Sequence, residues 1–150
     1  DAEEVRLARS DGIDDPLIPR RLTLDRAGSL QVLPRLGTQM NAIVSRARKL
    51  PRADDVYFYP SEATYYFLTN RRLPTRFLWA YDAATPAMQR AALDDLNRLQ
   101  PRWVFRSTDT FPIDWIPQSR LAPEIDRYLQ ETYRLIEVLP GAELLERARD

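Results

Sequence analysis

Val56-Tyr57-Phe58-Tyr59-Pro60 is the stretch on which the fold turns. Four β-branched or aromatic residues in a row, with no polar position to face water, describe a strand buried on both sides. Pro60 stops it, because proline has no N–H for a sheet ladder. Toward the N-terminus, Leu36, Met40, Ile43, Val44, Ala47 and Leu50 recur at helical spacing between Pro34 and Pro51, which predicts an amphipathic helix leading into the strand. Toward the C-terminus, Ser61 is an N-cap for a helix through about Thr69 with Ala63, Tyr66 and Phe67 as its inward face.

The unit repeats with variations. Arg76 to Tyr81 (RFLWAY) reads as a second core strand, and Thr85 with Pro86 as the cap and first position of a helix whose buried stripe is Met88, Ala92, Leu96 and Leu99. Trp103 to Phe105 reads as a third strand. An irregular stretch from Ser107 to Arg120 follows, then a helix over Ala122 to Arg134, then Leu135 to Leu139 and Glu143 to Arg147 around Pro140-Gly141. Proline second and glycine third is the order of a type II turn. Near the start, Leu22 to Leu24 and Leu30 to Val32 flank Gly28 as a short hairpin, while residues 1–20 read as a lead-in with a short helical possibility at Ala2 to Arg9. Alternating strands and helices predict an α/β fold. The expected form is a small three-layer αβα sandwich with a mostly parallel sheet and a C-terminal antiparallel hairpin, a single domain over 21–150.

Composition excludes several function classes. The 150 residues hold 22 basic and 22 acidic side chains, so no net field draws the molecule to nucleic acid or anionic lipid. All the basic residues except Lys49 are arginines, scattered along the chain. Neither histidine nor cysteine occurs, which removes thiolate chemistry, the commonest general base and the usual zinc ligands. Pro60-Ser61 stands where a dinucleotide fold needs a glycine-rich loop, and no apolar run is long enough to span a bilayer. No cofactor, metal or nucleic-acid partner is expected.

Ligands of open α/β sheets gather outside the carboxyl ends of the strands. That rule selects Pro60, Ser61 and Glu62, then Asp82, then Ser107, Thr108 and Asp109, with Trp115 as a wall from the irregular loop. Each also has an ordinary loop role as a cap or turn residue. Tyr65, Arg71, Arg72 and Arg76 complete the candidate ligand or partner surface, as an aromatic beside an anion- or lipid-headgroup patch.

The string VYFYPSEATYYFLTNRRLPTRFLWAY, with LNRLQPRWVF after it, resembles the extracytoplasmic C-terminal domain of bacterial multi-spanning glycosyltransferases that use polyprenyl-phosphate sugars, of GT-C type and related to dolichyl-phosphate-mannose mannosyltransferases. Residues 56–106 carry the likeness, above all Tyr65, Phe67, Leu68, Arg72, Pro74, Thr75 and Arg76. The resemblance implies an accessory or binding domain, non-catalytic by itself, on the periplasmic face. Its partners would be the transmembrane region of the same parent chain and a sugar or lipid-phosphate headgroup. It transfers no catalytic residue. A start at Asp1 rather than Met fits a piece beginning after a last membrane span. The alternatives from the residues alone are a stand-alone enzyme using Glu62, Asp82 and Asp109, or a small-molecule-binding regulatory domain in the same crevice.

Overall fold

The computed structural model describes residues 17–60, 63–108, 116 and 118–148. The lead-in up to residue 16 and the candidates Ser61, Glu62, Asp109 and Trp115 lie outside them. A two-stranded antiparallel ribbon, β1 (Arg20–Arg21) and β2 (Gln31–Val32), precedes α1 (Pro34–Arg48). Then come β3 (Val56–Tyr59), α2 (Ala63–Thr69), a 3-10 turn (Ala80–Asp82) and α3 (Pro86–Leu99). β4 (Trp103–Ser107), α4 (Gln118–Leu121), α5 (Pro123–Thr132), β5 (Tyr133–Leu139) and β6 (Ala142–Arg147) complete the order.

The strands β3 to β6 form one mixed sheet in the order β3-β4-β6-β5. Alternation along β3 divides the core: Val56 and Phe58 face Ile43, Val44 and Ala47 of α1, while Tyr57 and Tyr59 face Ala92 and Leu96 of α3 and Ile125 and Leu129 of α5. All four β3 residues are buried, as a strand covered on both faces must be. The three layers therefore stand as expected, and so does the C-terminal hairpin. Thr85 caps α3 by accepting from the Met88 N–H at 3.2 Å, with Pro86 at the first position.

One expectation is refined and one corrected. The sheet is mixed: β3, β4 and β5 run in one direction, β3 pairs with β4 in parallel, and β6 alone is reversed, lying antiparallel between β4 and β5. One crossover, through α3, makes the parallel pair. After β4 the chain passes through α5 to the far edge as β5, and the hairpin then returns β6 into the gap, where it pairs antiparallel on both sides. RFLWAY is not a strand. It runs as bends into the 3-10 turn, held where Ala80 N donates to Pro60 O at 2.7 Å. The outer edge of β3 is closed instead by a side chain, the Tyr66 hydroxyl accepting the Phe58 N–H at 2.9 Å.

Smaller shifts have equally local causes. The ribbon ladder pairs Gln31–Val32, within the expected Leu30 to Val32, with Arg20–Arg21, just ahead of the expected Leu22 to Leu24. Met88 is exposed rather than part of the buried stripe of α3. In α2 the inward face is Tyr65, Tyr66 and Leu68, and Phe67 is 57% exposed with the Arg26 guanidinium 4.6 Å from its ring centre.

Candidate functional site

The arginines of the 71–76 connection are occupied by the fold itself. Arg71 donates to four backbone carbonyls, those of Ala47 and Leu50 from one terminal nitrogen and Pro51 and Asp54 from the other, at 2.7–3.2 Å. Two of these carbonyls close the C-terminal end of α1, where a cation also meets the negative end of the helix dipole. Arg76 grips Asp95 with two side-chain nitrogens and its own backbone N–H, each at 2.9 Å. Arg72 makes a two-point contact with Asp55 at 2.8 Å while staying exposed. Tyr65 is 1% exposed and packs on Phe58 at 5.4 Å between ring centres. It belongs to the core and offers no surface.

The remaining described candidates are scattered. Arg71 and Arg72 border a cleft of about 420 Å³ with Arg52, Asp54, Asp55 and Asn70, just ahead of β3. Ser107 ends β4 at the opposite, carboxyl end of the parallel pair, and Asp82 is exposed on the 3-10 turn. The sequence-level surface thus mixed two ends of one sheet.

Electrostatics in these places is that of structure rather than of acid–base work. The Arg76 guanidinium holds the Asp95 carboxyl well below the usual carboxylate range, and Arg72 and Arg134 with Arg102 do the same for Asp55 and Glu146. A general acid needs a shift in the other direction. Among the described residues no three carboxylates gather to hold a metal. Burial pushes the Tyr57, Tyr59 and Tyr133 hydroxyls up from 10.

A pH profile follows. Carboxylates whose folded pKa is depressed contribute stability above their unfolded value, near 4, and lose it as pH falls through the folded value. Tyrosines whose folded pKa is raised contribute below about 10 and lose that contribution as pH rises further. With no histidine between these limits, the thermal midpoint should be flat from about pH 5 to about pH 9 and fall on both sides. A sloping midpoint between pH 6 and 8, measured by circular dichroism melts, would contradict this assignment.

A cleft of about 450 Å³ opens where the crevice rule places it, at the carboxyl end of β4. Arg35, Thr38 and Gln39 from the first turns of α1 line it, with Thr108 just past β4 and Pro140 and Gly141 from the β5–β6 turn. Gln39 is 4% exposed, and its amide nitrogen donates to Ser107 Oγ at 3.3 Å. Thr108 N donates to Gly141 O at 2.9 Å, which ties the turn to the end of β4. Gly141 has φ +68°, and a Cβ there would stand 2.8 Å from Gln39 Oε1. The left-handed backbone therefore favours glycine, and any Cβ there would have to displace the Gln39 amide.

Of the expected residues, Ser107 and Thr108 are drawn into this arrangement among the described ones. Gln39, Thr38 and Gly141 were missed. A readable signal existed at Gln39, an amide in the midst of the apolar stripe of α1 between Leu36 and Ile43. A buried polar group on such a stripe calls for a partner.

No protein-family model and no curated protein matches the chain. Among solved structures, the C-terminal globular domain of the oligosaccharyltransferase from Archaeoglobus fulgidus overlaps it with a TM-score of 0.45 and 12% identity, over 71% of this chain and 94% of that one. An overlap at that level assigns neither fold nor activity, and no helix among the described residues is long and apolar enough to cross a membrane.

Proposed function

We propose that the chain is a binding domain that serves a membrane-embedded glycosyltransferase from the extracytoplasmic side and holds a sugar, or the sugar end of a lipid-phosphate carrier, in the cleft at the end of β4. The carrying observation is the polar lining of that cleft: the Gln39 amide and the Thr38 and Thr108 side chains beside Arg35, with Pro140 and Gly141 as a flatter wall. Sugar hydroxyls both donate and accept, so a mixture of amide and hydroxyl groups suits them. The cleft lies within the ~300–1,000 Å³ range of small-ligand sites. The sequence pattern of residues 56–106 supports the same reading from a separate direction. Catalysis is assigned to the parent enzyme, as the resemblance of residues 56–106 implies.

Thermal melts and amide chemical-shift titrations of the purified chain test the proposal, with hexose 1-phosphates and a short-chain polyprenyl phosphate sugar as ligands. The expected result is a saturable rise in midpoint, because a ligand at ~100 times its Kd adds about 2.7 kcal/mol to the folded state. Shifts should centre on Thr38, Gln39, Thr108 and Gly141, and Gln39→Met should remove them. Binding unaffected by Gln39→Met, or no response to any of these ligands, would refute it.

A further inference from the structure

The outer edge of the sheet is strand β5, which pairs with β6 on one side and with no strand of the described residues on the other. It presents Leu135, Ile136 and Val138 at 52%, 43% and 71% exposure. An apolar edge of this kind is a template for another strand, and proteins that remain monomeric usually blunt it. We propose that its partner is the β5 of a second copy of the chain, joined antiparallel about a twofold axis between Leu135 and Ile136, so that two four-stranded sheets become one of eight.

The register of the β5–β6 pair carries the argument. Arg134 is opposite Glu146 and Glu137 opposite Leu144, with Ile136 bulged out between them. Opposed residues share a face, and alternate residues of β6 share one as well. The bulge therefore brings Arg134 and Glu137, three apart in sequence, onto the same face, and it places Tyr133, Leu135 and Val138 on the other. A bulge commonly protects an edge. Here it makes the edge complementary to itself: in the proposed register Arg134 of each copy meets Glu137 of the other, and Tyr133 meets Val138.

Each charge already has a neighbour within its own copy, Arg134 on Glu146 at 2.9 Å and Glu137 on Arg46 at 2.6 Å. Across the seam these become an alternating row, Glu146, Arg134, then Glu137 and Arg46 of the second copy, with opposite charges adjacent at every step. Such cross-strand pairs stabilise a register, and like pairs oppose it. The proposal is independent of the sugar reading, so either can fail while the other holds. A strand of a different protein would lack this two-fold match of charge.

Sedimentation equilibrium and light scattering of the full chain decide it. A short edge contact lies at the small end of specific interfaces, so a Kd on the order of 10–100 μM is expected. The weight-average mass should climb from 17.5 kDa toward twice that value as concentration rises. Val138→Lys, at an exposed position, should abolish the rise without changing the unfolding midpoint. Arg134→Glu and Glu137→Arg should each weaken association at least about tenfold, a change of about 1.4 kcal/mol. An equal mixture of these two variants should recover the dimer, since both seam pairs are then opposite in charge. A monomer mass at every concentration, a dimer that survives Val138→Lys, or a mixture that stays monomeric would overturn the proposal.

Discussion

Arg71→Ala is expected to lower the thermal midpoint of this domain by about 5–15 °C, corresponding to about 2–4 kcal/mol. The side chain is only partly exposed, and its two terminal nitrogens serve the carbonyls of Ala47, Leu50, Pro51 and Asp54. Hydrogen bonds from a charged donor contribute more than neutral ones, and removing the donor leaves four acceptors at a helix end and its following turn. Water can reach part of this site, which keeps the loss below the sum of the individual bonds. Arg71→Lys should recover little, because one ammonium cannot reproduce a planar fork aimed at two pairs of carbonyls. Urea titrations of both variants measure the loss directly. A variant of unchanged stability with altered ligand binding would return Arg71 to the surface role that its place in the sequence suggested.

Phe58→Ala should cost more, about 3–5 kcal/mol, a large part of the ~5–15 kcal/mol that holds a domain together. Phe58 is 2% exposed and stands at the centre of an aromatic group, with Phe105 stacked at 5.3 Å and Tyr66 edge-on at 5.0 Å. Its removal opens a cavity that neighbouring rings, fixed on a strand and a helix, cannot close. Phe67→Ala is the matched control. Phe67 belongs to the same aromatic string but is 57% exposed, so its loss should stay within about 0.5–1 kcal/mol, including the contact with Arg26. Equal losses at the two positions, in the same denaturant series, would mean that the core is placed wrongly.

Much of the layer structure was legible because it rests on local rules. The run from Val56 to Tyr59 announces a strand with two covered faces, since it offers water nothing. The spacing in α1 and the Thr85-Pro86 start of α3 mark their helices through side-chain period and capping. Pro140-Gly141 marks the hairpin through backbone conformation, and Gly141 does take the left-handed φ that a turn of this kind requires. The candidate site was less legible. The rule for open sheets pointed to the end of β4 and to Ser107, but the amide that meets Ser107 comes from a helix 68 residues earlier in the chain.

What the sequence determined by itself was therefore the kind of each well-patterned element and the chemistry that is absent, histidine and cysteine being missing from any structure it could adopt. Tertiary structure decided the rest. RFLWAY has the residues of a strand, yet a strand exists only by pairing, and the place beside β4 went to β6 while the free edge of β3 was closed by the Tyr66 hydroxyl. The arginines of the following connection were read as a surface for anions, whereas their partners are carbonyls and carboxylates of α1, of the α1–β3 connection and of α3. Side-chain period and turn chemistry are encoded within a few neighbouring residues. Which edge is filled, and which acceptor a guanidinium meets, depends on segments tens of residues away, and only the packed chain brings them together.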